Sequence, residues 1–358
     1  MHAFQICKGL GSDARFPAVG FMPRQWTVAE IVALGNDYAR LLSFLASFGI
    51  LEVPECCQCG GLLAVARRRG KARLRCRVKS CQRWVNVRHG TVLEGFHMEL
   101  GSWLLVVYLW AVQTSFSAAV TLSGLSKPSV AKIFLLLRLC AKRCCDGYGQ
   151  LLGGRGCVVE VDETECGRKR KGLHGHPTSV KMDVWGAVDR CKKLVIFKEF
   201  KKWHATEDRR RAGPASAAEV LPFVSKYVAC GSTVFSDGLK AYRCNLEDMG
   251  YVHDSVKHAD GQFSKVRPRR MTRLVTSMGK VHTNTIDGYW GSFKNAMRGM
   301  KSLRREHQPL FLAEFMWRHN ASVLCPTRSI FEQMLTLLAD YRDDHALAQA
   351  LSSLCVDD

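Results

Sequence analysis

Between Cys157 and Glu165 the chain reads "CVVEVDETE", apolar and β-branched enough to be a buried strand, yet Asp162 sits inside it. Burying an unpaired carboxylate is costly unless something binds it, so Asp162 asks for a cation. The neighbouring acids Glu160, Glu163 and Asp183 compete with it; they read as strand or turn surface residues first, with a metal role as the alternative. The glycine-rich joint "GYGQLLGGRG", Gly147 to Gly156, marks where helical periodicity gives way to alternation. Beyond it, "VKMDVWGAVD" and "KLVIFKEF" add two more strands, joined through "RKRKGLHGHPTS" and "RCK". A helix "AAEVLPFVSKYV", a strand "STVFSDG", a helix around "LKAYRCNLEDMG" and a strand "YVHDSVKH" follow. This order predicts a mixed α/β domain.

A second acid, Asp237, stands at the end of an apolar strand just before Gly238. A third, Asp287, lies on the first turn of a helix opened by "KVHTNTIDGYWGSFKNAMRGM". Each alone fits an ordinary turn or cap, and Asn284 with Asp287 resembles a capping box. Together, two strand-borne acids and one helix-borne acid can hold a pair of hard divalent cations, magnesium or manganese, through oxygen ligands. Such ions activate a water or a 3′-hydroxyl and clamp a scissile phosphate. Lys294 lies two helical turns beyond Asp287 on the same face, and with Arg298 it can hold DNA nearby.

Earlier in the chain, residues 25 to 51 show helical periodicity interrupted by Gly35, and a boundary falls near Pro54. Cys56 and Cys59 are spaced CxxC, and Cys76 and Cys81 lie a short hairpin away, so four thiolates can close a structural zinc site. Adjacent Cys57 leaves the register ambiguous. From Arg67 to Arg88 there is no acid, which makes this ribbon basic; Arg73, Arg75, Arg77 and Lys79 are candidate phosphate contacts. The segment "SFSAAVTLSGLSKPSVAKIF" has the length and turn of a helix-turn-helix, with Lys127 and Lys132 as candidate DNA contacts and a plain helical hairpin as the alternative. The predicted domains are an N-terminal helical segment, 1–54; a zinc ribbon, 55–95; a helical DNA-binding region, 96–150; the catalytic domain, 151–323; and a helical tail, 324–358.

The formal net charge of +20 predicts attraction to phosphates or to an anionic membrane surface. The longest apolar run, Trp103 to Val112, is well short of the roughly 20 residues a spanning helix needs, so double-stranded DNA is the expected partner rather than a membrane. Sixteen cysteines with no secretory layout at the N-terminus point to reduced thiols in an intracellular protein.

Several stretches resemble the Merlin superfamily of cut-and-paste DNA transposases and their bacterial insertion-sequence relatives. They are "RCRVKSCQRWVNVRHGTVLEG", "LLVVYLWA", "VEVDETECGRK", "FSDGLKAYRCNLEDMGYVHDSVKH", "HTNTIDGYWGSFK" and "FLAEFMWRHN", in the family's order. The resemblance implies a zinc-binding, DNA-recognising N-terminal region and an RNase H-like catalytic core with a DDE-type triad, here Asp162, Asp237 and Asp287. It also implies binding to transposon ends and target DNA, synapsis by a homodimer or larger assembly, and a nuclear location in a eukaryote or the cytoplasm and nucleoid otherwise. Two departures stand out. The family's usual third acid is Glu, one methylene longer than Asp287, and the basic stretch from Ser264 to Lys280 lengthens the interval before it. A domesticated DNA-binding protein that no longer cuts and a structure-specific nuclease are the alternatives.

Overall fold

Alternation from Val158 onward produces the strands expected there. A computed structural model describes residues 24–341 apart from 55, 69–70, 167–181, 201–213, 244, 257–264, 267–279 and 300–306. Most of the basic stretch 264–280 and the connection 168–179 therefore lie outside the described residues. The chain opens with α1 (Val28–Asn36), α2 (Tyr38–Ser47), β1 (Leu63–Arg68), β2 (Lys71–Cys76), β3 (Trp84–Val85), α3 (Leu100–Ala111), α4 (Phe116–Ser123) and α5 (Lys127–Asp146). Next come β4 (Leu152–Gly153), β5 (Val158–Cys166), β6 (Met182–Asp189), β7 (Val195–Phe200), α6 (Ala217–Tyr227), β8 (Val228–Ala229) and β9 (Thr233–Ser236). The last elements are α7 (Asn245–Asp248), β10 (Val252–Ser255), β11 (Lys265–Val266), β12 (Lys280–Val281), α8 (Asn284–Gly299), α9 (Gln308–Leu324) and α10 (Ile330–Asp340). Among the described residues, Cys145–Leu324 forms one compact unit; those before Cys145 and after Leu324 form another.

In the Cys145–Leu324 unit the main sheet runs β10-β9-β5-β6-β7. The short connection between β6 and β7 permits antiparallel pairing, and β5 is antiparallel to β6. The segment between β7 and β9 carries α6 and brings β9 back parallel to β5, pairing Val158 with Thr233; β10 then runs parallel to β9. These strand orders and directions fit an RNase H-like core. Being central, β5 is covered on both faces and buries Val158, Val159 and Val161 completely. On one face Phe197 of β7 meets Trp290 of α8 and Phe315 of α9. On the other, Trp185 of β6 stacks on Phe223 and Tyr227 of α6. Buried Asn320 of α9 binds both the N–H and the carbonyl of Val195, which satisfies backbone groups at the start of edge strand β7.

The other unit pairs a helical core with a small antiparallel sheet, β1-β2-β3. The break between α1 and α2 falls at Asp37, whose side chain caps α2 through the Arg40 N–H, and not at Gly35. Gly35 is instead inside α1, where a β-carbon would come 3.0 Å from Gly101 Cα of α3; the missing side chains let the two helices cross closely. The run Trp103–Ala111 is buried throughout as part of α3. Helix α10 joins this core: Phe331 contacts Trp26, Phe44 and Tyr108, and Trp26 Nε1 donates to Glu332 at 3.1 Å. Ser115 caps α4, and Gly124 ends it in the left-handed conformation at φ 66° before α5, the expected helix, turn and helix. Among the described residues, no helix is long and apolar enough to cross a membrane.

Candidate metal centre and nucleic-acid interface

Asp162 projects from β5 opposite Gly186 of β6. Glycine there is a packing requirement, since a β-carbon would lie 2.4 Å from the Trp290 ring. Trp290 fills that space, and its Nε1 donates to Asp162 Oδ2 at 2.9 Å. Asp237 follows β9, next in the sheet to β5, and its Oδ1 accepts the Leu239 N–H at 3.1 Å, fixing the turn. Asp162, Glu163 and Asp237 each offer an oxygen within 4.8 Å of the others. Asp287 is exposed on the first turn of α8 and lies outside that group of three, yet its charge reaches Asp162.

Burial is the main cause that raises Asp162 from its ordinary 3.8 to about 7, helped by the charges of Asp237 and Asp287 and opposed by the Trp290 hydrogen bond. A divalent cation would remove that penalty, and an all-oxygen donor set suits a hard ion. The residues present therefore fit magnesium or manganese.

Two acids read as surface residues are nothing of the kind. Glu160 is completely buried, because α8 packs over its face of β5. Glu163 joins Asp162 and Asp237, and the Tyr242 hydroxyl donates to it. Burial first, then the Glu163 charge, keep that hydroxyl protonated, and Trp185 Nε1 donates to it in turn at 3.1 Å. Asp183 is half-buried on β6 opposite Glu165. Helix α8 begins at Asn284, so Asn284 is its first residue and the cap comes from Glu160.

The cysteines also converge. Cys57, Cys59, Cys76 and Cys81 place their sulfurs within 4.8 Å of one another, with 3.6 Å between Cys57 and Cys81 and 3.5 Å between Cys59 and Cys76. Four sulfurs about 2.3 Å from a tetrahedral zinc are about 3.8 Å apart, so the set fits zinc. Cys56 does not join them; it is exposed and pairs its backbone with Leu62. The reason is local, since the loop closes on Cys57, whose N–H binds Gly61 O at 2.8 Å while Gly60 N–H binds Cys57 O. Burial and the neighbouring thiols push Cys76 up to about 12 without a cation. A third grouping, Cys157, Asp189 and Cys191, is a turn anchor: Asp189 accepts the N–H groups of Gly153, Cys191 and Lys192.

Residues 150–320 match the ISXO2-like transposase domain. The match supports a DDE-type DNA transposase, a class of polynucleotidyl transferases that act on DNA with divalent metal. It takes in all three sequence-predicted acids and lies outside the cysteine ribbon. No curated protein matches the chain.

Around the transposase-like site, Lys294 Nζ donates to Thr164 Oγ1 of β5 at 2.5 Å, and Arg298 is exposed and donates to Asn295 at 2.8 Å. On the ribbon, Arg77 and Lys79 are exposed. Arg75 is held by Gln82 and lies over the Trp84 ring at 5.3 Å, and half-buried Arg73 is 3.9 Å from Glu99. Lys127 is exposed at the start of α5, whereas Lys132 is turned to Gly95 O at 3.0 Å. Sequence reasoning ranked Glu163 as a surface residue ahead of a metal role, and it missed Gly186, Trp290 and Tyr242. Only Trp290 carried a signal, three residues past Asp287 and so on the same helix face.

Proposed function

We propose that this protein is a cut-and-paste DNA transposase of the Merlin kind. It binds the terminal inverted repeats of its element, hydrolyses phosphodiester bonds at the ends, and joins the freed 3′-hydroxyls to target DNA, working as a homodimer or larger assembly. The observation that carries this reading is the convergence of Asp162 and Asp237, from neighbouring parallel strands, beside the helix that bears Asp287. Asp162 and Asp237, with Glu163 and Asp287, would hold the divalent ions. When bound, such ions lower the pKa of the attacking water or hydroxyl and neutralise charge on the phosphate. Trp290 orients Asp162 through its indole N–H, and Lys294, seated on Thr164, offers a cation to the DNA backbone beside the acids. Cys57, Cys59, Cys76 and Cys81 would hold a structural zinc, and exposed Arg77, Lys79 and Lys127 would meet phosphates.

A second reading, a domesticated DNA-binding protein that no longer cuts, draws on Asp287, which is shorter than the family's usual Glu and lies outside the group of three. Incubating purified protein with magnesium and labelled terminal DNA separates the two. Cutting and joining in wild type, both lost in Asp162→Ala, supports the transposase; specific binding without cutting supports the second reading.

A further inference from the structure

Glu160 lies two residues before Asp162 on β5, so strand alternation puts both side chains on one face. Its carboxylate is fully committed. Oε1 accepts from Arg190 Nε at 2.5 Å, and Oε2 accepts the backbone N–H groups of Thr285 at 2.9 Å and Ile286 at 3.0 Å. Those amides belong to the first turn of α8, where N–H groups lack an intrahelical partner and the helix dipole favours an anion. A helix is ordinarily capped by the residue just before it; in α8 an acid 125 positions away in sequence accepts N–H groups of the first turn.

Arg190, just past β6, completes the clamp. Its Nη2 donates to both Nδ1 and the carbonyl of His282, 2.8 Å each, and its guanidinium lies 4.9 Å from the Phe235 ring centroid. The segment entering α8 and the first turn of α8 are thus both fastened to the sheet. That turn carries Asp287, next after Ile286, and the following turn carries Trp290, which binds Asp162.

We propose that Glu160 and Arg190 are positioning residues: together they set where α8 presents Asp287 and Trp290 to Asp162. This rests on the metal-dependent reading of the acid site. Glu160 acts through α8 and not on an ion, because its oxygens are taken by these donors and it stands outside the group formed by Asp162, Glu163 and Asp237.

The test is Glu160→Gln, which keeps shape and an acceptor oxygen but loses the charge facing Arg190. Partners that orient metal ligands are worth roughly 10- to 100-fold in metal affinity or activity. The expected result is a loss of that size in kcat with magnesium and in Mn2+ affinity measured by electron paramagnetic resonance. KM for DNA stays unchanged, and faster amide exchange is confined to Thr285–Trp290. In an Asp287→Asn background the same substitution should weaken Mn2+ binding little further, since its effect passes through α8. If Glu160→Gln folds and matches wild type in kcat and Mn2+ affinity, or if its loss adds in full to that of Asp287→Asn, the positioning role is overturned. Should it not fold, Arg190→Lys, which keeps the charge but loses the two-pronged grip, is read by the same criteria. Wild type that neither binds Mn2+ nor cuts DNA would bring down the metal reading and this proposal with it, whereas an unchanged Glu160→Gln in an active protein overturns the positioning role alone.

Discussion

Trp290 Nε1 donates to Asp162 Oδ2 at 2.9 Å, which ties α8 to the central strand at the acid centre. The bond favours ionised Asp162, so Trp290→Phe, which keeps an aromatic ring but removes the donor, should raise the Asp162 pKa above its present value of about 7. Metal-dependent cleavage needs the ionised acid, so the acidic limb of its pH profile should move up by roughly one unit. A profile superimposable on wild type would detach Trp290 from the chemistry.

The same carboxyl sets a stability trend in protein stripped of metal. Its folded value of about 7 lies above the ordinary 3.8, so between those values the native state holds a proton that the unfolded chain releases. That contribution is fully present below about pH 4 and is lost as pH rises through 7, a swing of about 4 kcal/mol. In EDTA, Asp162→Asn should therefore melt above wild type at pH 8, with the gap closing toward pH 5. Equal melting curves at pH 8 would contradict the buried, uncompensated state of Asp162.

Gly186→Ala inserts a β-carbon 2.4 Å from the Trp290 ring. Overpacking of this kind costs about 1 to 3 kcal/mol, and Trp290 must swing away from Asp162. Denaturant unfolding and cleavage assays should show both losses together; lost activity at unchanged stability would mean the ring is not packed there.

Zinc content distinguishes the two cysteine registers. Cys57→Ser should release the metal and loosen the β1-β2-β3 sheet, while Cys56→Ser should keep one zinc per chain by native mass spectrometry. The reverse result would restore the CxxC spacing of Cys56 and Cys59.

Exposed Arg77 and Lys79 face solvent on the ribbon. Replacing either with Ala should weaken DNA binding on all sequences alike and reduce the slope of log affinity against log salt by about 1. An unchanged slope would put the DNA elsewhere.

Strands β5, β6, β7, β9 and β10 were legible because alternation and β-branched residues mark a strand without reference to its neighbours. The approach of Asp162 to Asp237 was legible for a related reason, since an acid within or closing an apolar strand has few ordinary uses. What lies across each strand was not. Glu160 and Glu163 look alike in "VVEVDET", and only the arrival of α8 on one and of Tyr242 on the other assigns their work. Spacing alone could not choose Cys57 over Cys56, because the choice is made by backbone bonds to Gly61 and Gly60. The place of α10 among the N-terminal helices depends on contacts such as Phe331 with Tyr108, far apart in sequence.

The parallel seam between β5 and β9, which sets Val158 against Thr233, governs timing. Long-range parallel pairings are among the slowest contacts for a chain to make, and α8 emerges from the ribosome later still. A polypeptide interrupted before that helix would lack the Trp290 indole that holds Asp162.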